Sequence, residues 1–160
     1  MRKVINLAAA VCGLSVSGCI DTDAAVFVDA SVSAPSAAVS GSTLGTSLDG
    51  SFVLDLHLGP RASGPGEVSA ESFTITNAAQ DVDVISPLEV LANRALPVTV
   101  EPDSDVVVTF SFSTGASPLP AAKKDELCAA GGLRIKAVIR DSLQGGATTA
   151  ISDVFQPSCM

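Results

Sequence analysis

Apolar and polar side chains alternate along most of this chain, a pattern typical of β-strands that turn one face to a core. In the clearest run, 51–58, four large apolar residues occupy alternate positions: Phe52, Leu54, Leu56 and Leu58. Six more segments show the same period: 25–33, 72–76, 96–100, 106–113, 133–140 and 148–155. Because Gly, Pro and Asp residues separate them, the pattern predicts about seven short strands joined by turns.

Three other stretches complete the prediction. Asp49-Gly50 is a turn signal ahead of the run 51–58. The stretch Val82–Val90 is interrupted by Pro87 and suits the edge of a sheet. Ala121–Ala130 follows two prolines and is closed by Gly131, which indicates one short helix before strand six. The predicted fold is all-β, a single antiparallel sandwich of two sheets.

In its strand count and in the helical segment before strand six, the predicted sandwich resembles an immunoglobulin-like domain. It differs from antibody-type domains in two respects, because the chain has no Trp and strands two and six hold no cysteine pair. The resemblance therefore implies an architecture and carries no function with it.

The N-terminus carries a different pattern. Arg2 and Lys3 precede an uninterrupted run of thirteen residues without charge, Val4–Val16, which is shorter than the roughly 20 residues of a membrane-spanning helix. These proportions are those of an export signal. The run ends in Val16-Ser17-Gly18-Cys19, which resembles the lipobox of bacterial lipoproteins.

In that family the cysteine receives a diacylglyceryl thioether, the signal is cut just before it, and the new amine is usually acylated. The resemblance implies a signal peptide at 1–18, lipidation of Cys19, a short tether at 19–24 and a domain at 25–160. Cys12 fits less well, because Val11 before it is not small. The alternative to a lipobox is an uncleaved or conventionally cleaved signal with a chance cysteine. The alternative to a first strand at 25–33 is a longer flexible tether that includes 31–47.

Removing residues 1–18 leaves 142 of the 160 residues, the size of one domain, and takes the formal charge from −8 to −10. So acidic a surface repels nucleic acid and anionic lipid. Attachment to a membrane would then depend on Cys19 alone. Ile20 stands where lipoproteins of the inner membrane commonly have Asp, so the resemblance favours the outer membrane and leaves open whether the domain faces the periplasm or the cell surface.

Candidate catalytic residues are few. His57 is the single histidine, and its position on the polar face of a strand beside Asp55 indicates a solvated surface residue without an orienting partner. The segment 41–45 has the spacing of a nucleophile elbow but Thr at its centre and no strand-to-helix context. The sequence therefore predicts a protein that is not an enzyme.

Carboxylates raise the question of a metal. Glu101, Asp103 and Asp105 alternate in one loop, and Asp81 and Asp83 form a second pair. Ca²⁺ needs six or more oxygen ligands, and the loop lacks the Gly and distal Glu of an EF-hand. A solvated, charged turn is the favoured interpretation. Zinc is excluded by the shortage of His and Cys, and no cofactor is predicted.

Cys128 and Cys159 form an even pair in a chain predicted to be exported, where disulfides form. Their numbers place the midpoint between them within about a residue of the turn signal Gln144-Gly145-Gly146. Positions with a constant index sum lie opposite each other in an antiparallel hairpin. The sequence therefore predicts a disulfide across the hairpin of strands six and seven.

Together these features indicate a lipid-anchored envelope protein that acts as a non-catalytic binding or structural module with a protein partner. One alternative is an accessory subunit of a larger envelope complex, which would need an apolar patch, for example around Val53 and Val107. A weak Ca²⁺-dependent adhesion or carbohydrate-binding domain is the other, and the absence of Trp and Tyr counts against sugar binding.

Overall fold

The computed structural model describes residues 25–115 and 117–160, which form two β-sheets and one short helix. The strands are β1 (Asp29–Ser42), β2 (Gly45–Leu58), β3 (Gly66–Asn77), β4 (Val82–Ile85), β5 (Leu91–Ala92), β6 (Val98–Val100), β7 (Ser104–Ser113), β8 (Leu133–Asp141), β9 (Ala147–Ile151) and β10 (Ser158–Cys159). Helix α1 (Lys123–Leu127) lies between β7 and β8. The all-β prediction is confirmed.

Each sheet has five strands. Sheet A has the order β10-β1-β2-β7-β5, and sheet B has the order β4-β3-β8-β9 with β6 also paired to β3. All pairs are antiparallel except β1 with β10, which is parallel. Consecutive strands often lie in different sheets, so several connections cross from one layer to the other.

Aromatic rings join the two sheets. Phe52 on β2 and Phe110 on β7 stack in sheet A with ring centroids 5.1 Å apart. Phe73 on β3 of sheet B packs against both of them, at 5.3 Å and 4.7 Å. Because rings from opposite sheets are in direct contact, the sheets pack face to face and the fold is a sandwich.

The alternating pattern correctly predicts which side chains fill the core. Phe52, Leu54, Leu56 and Leu58 are all 1% exposed or less, and the same holds for Leu133, Ile135, Ala137 and Ile139 on β8. The outer face of β8 carries cations, of which Arg140 donates from Nη2 to Glu71 at 2.6 Å. The period of two therefore correctly predicts which side chains of these strands face the core and which face solvent.

The first hairpin differs from the prediction. β1 runs to Ser42 and β2 begins at Gly45, so the stretch 31–47 forms most of a β-hairpin, and the alternative of a flexible tether there is wrong. The turn lies at Thr43-Leu44, and the expected turn Asp49-Gly50 lies inside β2. Gly50 sits between Ala37 on β1 and Phe112 on β7, where a Cβ atom would overlap the Ser36 carbonyl oxygen and the Phe112 ring. The glycine is needed for close packing, not for turning.

The strand number and the helix also differ. Ten strands occur over the described residues, because β4, β5 and β10 add to those that alternation predicts. Helix α1 is five residues long, and Cys128 is its C-cap. Gly131 is not the residue that ends the helix; with φ of +108° it and Gly132 at +76° form the turn into β8. The helix is therefore shorter than the predicted segment 121–130, because the chain has to turn into β8.

Strand directions define two ends of the sandwich. The tether end holds the start of β1, the loop 59–65, the turn 101–103 and the turn 142–146. The hairpin end holds the β1–β2 turn, the segment 114–120 and α1; there Thr46 and Leu119 exchange two backbone hydrogen bonds of 2.8 Å.

Replacing Gly50 with Ala should destabilise the domain by roughly 1–3 kcal/mol, because the added methyl has no space between Ser36 and the Phe112 ring. Urea unfolding followed by circular dichroism measures the change. Gly64→Ala is the matched control, since no atom lies within 4 Å of a Cβ at that position. Equal stability of the two variants would contradict the packing role of Gly50.

Candidate functional site

The start of β1 is held by a buried carboxylate. The Val28 amide donates to Oδ2 of Asp141 at 2.9 Å, and the Leu143 amide donates to Oδ1 at 3.0 Å. Asp141 is only 2% exposed, and Gly66 leaves room for it, since a Cβ there would be 3.0 Å from Oδ1. Hydrogen bonds to a carboxylate are about twice as strong as neutral ones. From Val28 onward the chain is therefore fixed to the domain.

Sequence reasoning did not single out Asp141, although a signal was present. Asp141 continues the inward phase of Leu133, Ile135, Ala137 and Ile139. A carboxylate on a core-facing position needs hydrogen-bond donors. The alternation could thus have marked Asp141 as the ligand of a distant backbone group, but not which group.

His57 has a partner that the sequence did not predict. Its Nδ1 lies 2.7 Å from Oδ1 of Asp105, its neighbour on β7, and Asp29 on β1 is opposite on the other side. Asp55, the expected neighbour, instead accepts a hydrogen bond from the Ser33 hydroxyl. The His57 side chain is 31% exposed, and its Nε2 is buried with no hydrogen-bond partner among the described residues. The expectation of an unoriented histidine is therefore wrong.

The acidic loop does not gather its three carboxylates. Asp103 adopts a left-handed conformation with φ of +59° in the turn, and Ser104 closes that turn by donating to the Glu101 carbonyl at 2.6 Å. Asp105 lies on β7 and contacts His57. The other acidic pair faces Lys136, with Nζ 3.3 Å from Asp81 and 3.9 Å from Asp83. No cluster of three or more potential metal ligands occurs over 25–115 and 117–160.

Two further segments named from the sequence lie on the surface. The segment 41–45 is the β1–β2 turn, where the Leu44 amide donates to the Ser42 hydroxyl at 3.2 Å. Leu44 is 84% exposed. Val107 is exposed and Val53 half-buried on the outer face of sheet A, where they are diagonal neighbours. Polar and charged side chains surround them, so this apolar patch is small.

The structure contains a disulfide between Cys128 and Cys159, with Cα atoms 6.2 Å apart. The β8–β9 pairs, such as Ala137 with Ala150, have the same index sum as the two cysteines, so the predicted register is confirmed. Cys128 lies at the end of the helical segment and Cys159 lies past the last predicted strand, as the sequence indicates. The sequence does not predict β10, which contains Cys159 and pairs with β1 in sheet A. The bond therefore joins α1 to the edge of the opposite sheet.

An apolar groove lies at the hairpin end, and sequence reasoning did not find it. Two adjoining cavities of about 360 and 390 Å³ share Glu89 and Ser113. The groove lies between the segment 85–91, which crosses from sheet B to sheet A, and the end of β7 with the segment that follows. Its described lining residues are Ile85, Pro87, Leu88, Glu89, Val90, Leu91, Ser111, Phe112, Ser113, Thr114, Ser117 and Leu119.

Backbone hydrogen bonds fix both walls of the groove. The Leu88 amide donates to the Phe73 carbonyl at 2.7 Å, and the Thr114 amide donates to the Leu48 carbonyl at 2.9 Å. Leu88 and Phe112 form a buried floor, whereas Leu91 at the rim is 76% exposed. An apolar floor with hydroxyls and one carboxylate at its sides has the composition of a binding surface. Only the Pro87 interruption hinted that this stretch leaves the sheet.

The sequence matches no protein-family model, and comparison with curated proteins gives no match. Over the described ranges the chain forms no helix with the length and apolar character that a transmembrane span requires. Cys19 and the predicted signal at 1–18 and tether at 19–24 lie outside the described residues.

Breaking the disulfide should cost about 3.5 kcal/mol, because the bond closes a loop of 31 residues that would otherwise gain entropy on unfolding. Urea unfolding of the double variant Cys128→Ser/Cys159→Ser measures this loss. The unsubstituted chain treated with reductant is the control and should lose the same amount. Recovery of both cysteine peptides separately and alkylated without reductant would contradict the bond.

Proposed function

We propose that this chain is a lipid-anchored protein of the bacterial envelope whose immunoglobulin-like sandwich acts as a non-catalytic binding module. The observation that carries the proposal is the short interval between Cys19, which ends the lipobox-like run, and Val28, which is bonded to Asp141. At most about 30 Å of extended chain separates the lipidated residue from the folded domain. An anchored domain with so short a link stays close to the bilayer.

The immunoglobulin-like assignment is supported by two face-to-face sheets and by a helix directly before β8. The parallel β1–β10 pair and the crossing segment 85–91 are additions to that plan. We assign the outer membrane because Ile20, and not Asp, follows Cys19. The acidic surface leaves nucleic acid out as a partner.

The groove at the hairpin end is the binding surface that the geometry supports best. It has an apolar floor, and the exposed Leu91 side chain stands at its rim. Such a surface fits an apolar segment of a protein partner, with Glu89 placed to pair with a cation. Because the groove and the tether lie at opposite ends of the sandwich, the partner would approach from the side away from the membrane.

The alternative of an accessory subunit in a larger complex shares this groove, since a stable subunit also needs an apolar contact. The Val53–Val107 patch supports it less, because Asp55 and Ser33 interrupt the patch. A Ca²⁺-dependent or sugar-binding domain has no supporting observation among the acidic residues, since Asp81 and Asp83 face Lys136 and Asp105 contacts His57.

Lipidation is tested with Cys19→Ser. This variant should lose incorporation of radiolabelled fatty acid and accumulate as a full-length precursor, because the thioether can form only at that sulfur. Cys12→Ser is the matched control and should be labelled and processed normally. Continued labelling and cleavage of Cys19→Ser would show that the anchor is assigned to the wrong residue.

The groove is tested by affinity capture from detergent-solubilised membranes. Leu91→Asp places a charge at the apolar rim and should abolish recovery of a partner in stoichiometric amount. Leu44→Asp at the same end, outside the groove, is the control and should retain it. If both variants retain the partner, or if the unsubstituted chain captures none, the groove is not the binding surface.

A further inference from the structure

The residues just before Val28 present two apolar side chains to solvent. Val26 is 44% exposed and Phe27 is 46% exposed, although Val28 beside them is buried. Most Phe residues of this chain are in the core, so the exposure of Phe27 is exceptional. The pair is held in place, because the next amide in the chain donates to Asp141.

The side chains that line the surface beside this pair are uncharged except for Asp29. A shallow cavity of about 410 Å³ beside it is lined by residues 25–29, Gln144 and Thr148. The adjacent turn 142–146 has no charged side chain, and its Gly145 and Gly146 face open space. Along the chain, the nearest acidic residues are Asp29 after the pair and Asp23 and Asp21 before it. Glu101 and Asp103 are at the same end but beside β7, two strands or about 10 Å from β1.

These side chains also lie close to the proposed anchor. Seven residues separate Phe27 from Cys19, and extended chain of that length reaches about 25 Å. A lipid held in the bilayer therefore keeps Val26 and Phe27 at high local concentration near its surface. Weak burial of two side chains is then sufficient to orient the domain.

We propose that Val26 and Phe27 insert into the boundary between headgroups and acyl chains, and so seat the tether end of the sandwich on the bilayer. The inference rests on the proposed lipidation of Cys19. Its partner is a lipid surface of low net charge, because the acidic domain would be repelled by anionic headgroups. Apolar and aromatic side chains are the ones that enter this boundary.

Seating fixes the direction in which the groove points. Ser113 pairs with Asp49, which pairs with Ala38, nine residues along β1 from Asp29. At about 3.3 Å per strand residue, the groove stands roughly 30 Å along β1 from the seated end. The binding surface is thus directed away from the bilayer and not along it.

Because the chain has no Trp and no Tyr, a single introduced indole reports its own surroundings. Phe27→Trp is compared with Leu44→Trp, which places the indole at the opposite end of the sandwich. Each full chain is expressed in bacteria, purified in detergent and reconstituted into phosphatidylcholine vesicles. Mass spectrometry establishes lipidation, and circular dichroism establishes that both variants fold.

The Phe27→Trp indole should emit at shorter wavelength, lose intensity with brominated acyl chains and resist quenching by acrylamide, whereas the Leu44→Trp indole should show the reverse. Equal acrylamide quenching of both indoles in lipidated protein would overturn the seating and leave the anchor intact. A shift to shorter wavelength without quenching by bromine would also overturn it, since a protein contact would then cover Phe27. A chain without lipid would overturn the anchor, and the seating with it.

Discussion

The contact of Phe73 with Phe52 and Phe110 is the interaction on which the rest of the sandwich depends. Neither sheet can bury its inner face alone, and the chain has no Trp or Tyr to supply large core side chains. Three rings from three strands therefore occupy the centre, and aliphatic side chains, mostly Leu, Ile and Val, fill the space around them. The need to bring Phe112 to the same layer explains the glycine opposite it on β2.

Alternation along the sequence predicted the inner faces of β2, β7 and β8, because burial on one side of a strand has a period of two. The spacing of the two cysteines predicted the register of the β8–β9 hairpin, because its midpoint coincides with the turn at Gly145-Gly146. Prediction from the sequence failed where a residue type has two uses. Gly50 reads as a turn but permits close packing, and Gly131 reads as a helix end but turns the chain into a strand.

The groove and the fixed start of β1 could not be predicted for a different reason. Both depend on contacts between residues distant in sequence, such as Leu88 with Phe73 and Val28 with Asp141. Local propensity and spacing carry no information on these pairings. The same holds for His57 on β2, whose partner Asp105 lies on β7, after four intervening strands in the chain. These contacts follow from the order of the strands in the two sheets, which the local sequence pattern does not specify.

The start of β1 and the C-terminal segment are both held at the edge of sheet A or close to it. The Asp141 carboxylate holds the start of β1, and β10 pairs with the middle of the same strand, where the Met160 amide also donates to the Val39 carbonyl at 2.9 Å. The disulfide from Cys159 then ties β10 to α1. An exposed strand as long as β1 would otherwise offer an edge for pairing with other chains. The bulge in β1 between Ser33 and Ser36 and this short C-terminal strand together limit such pairing, so the edge of sheet A is protected within the fold itself.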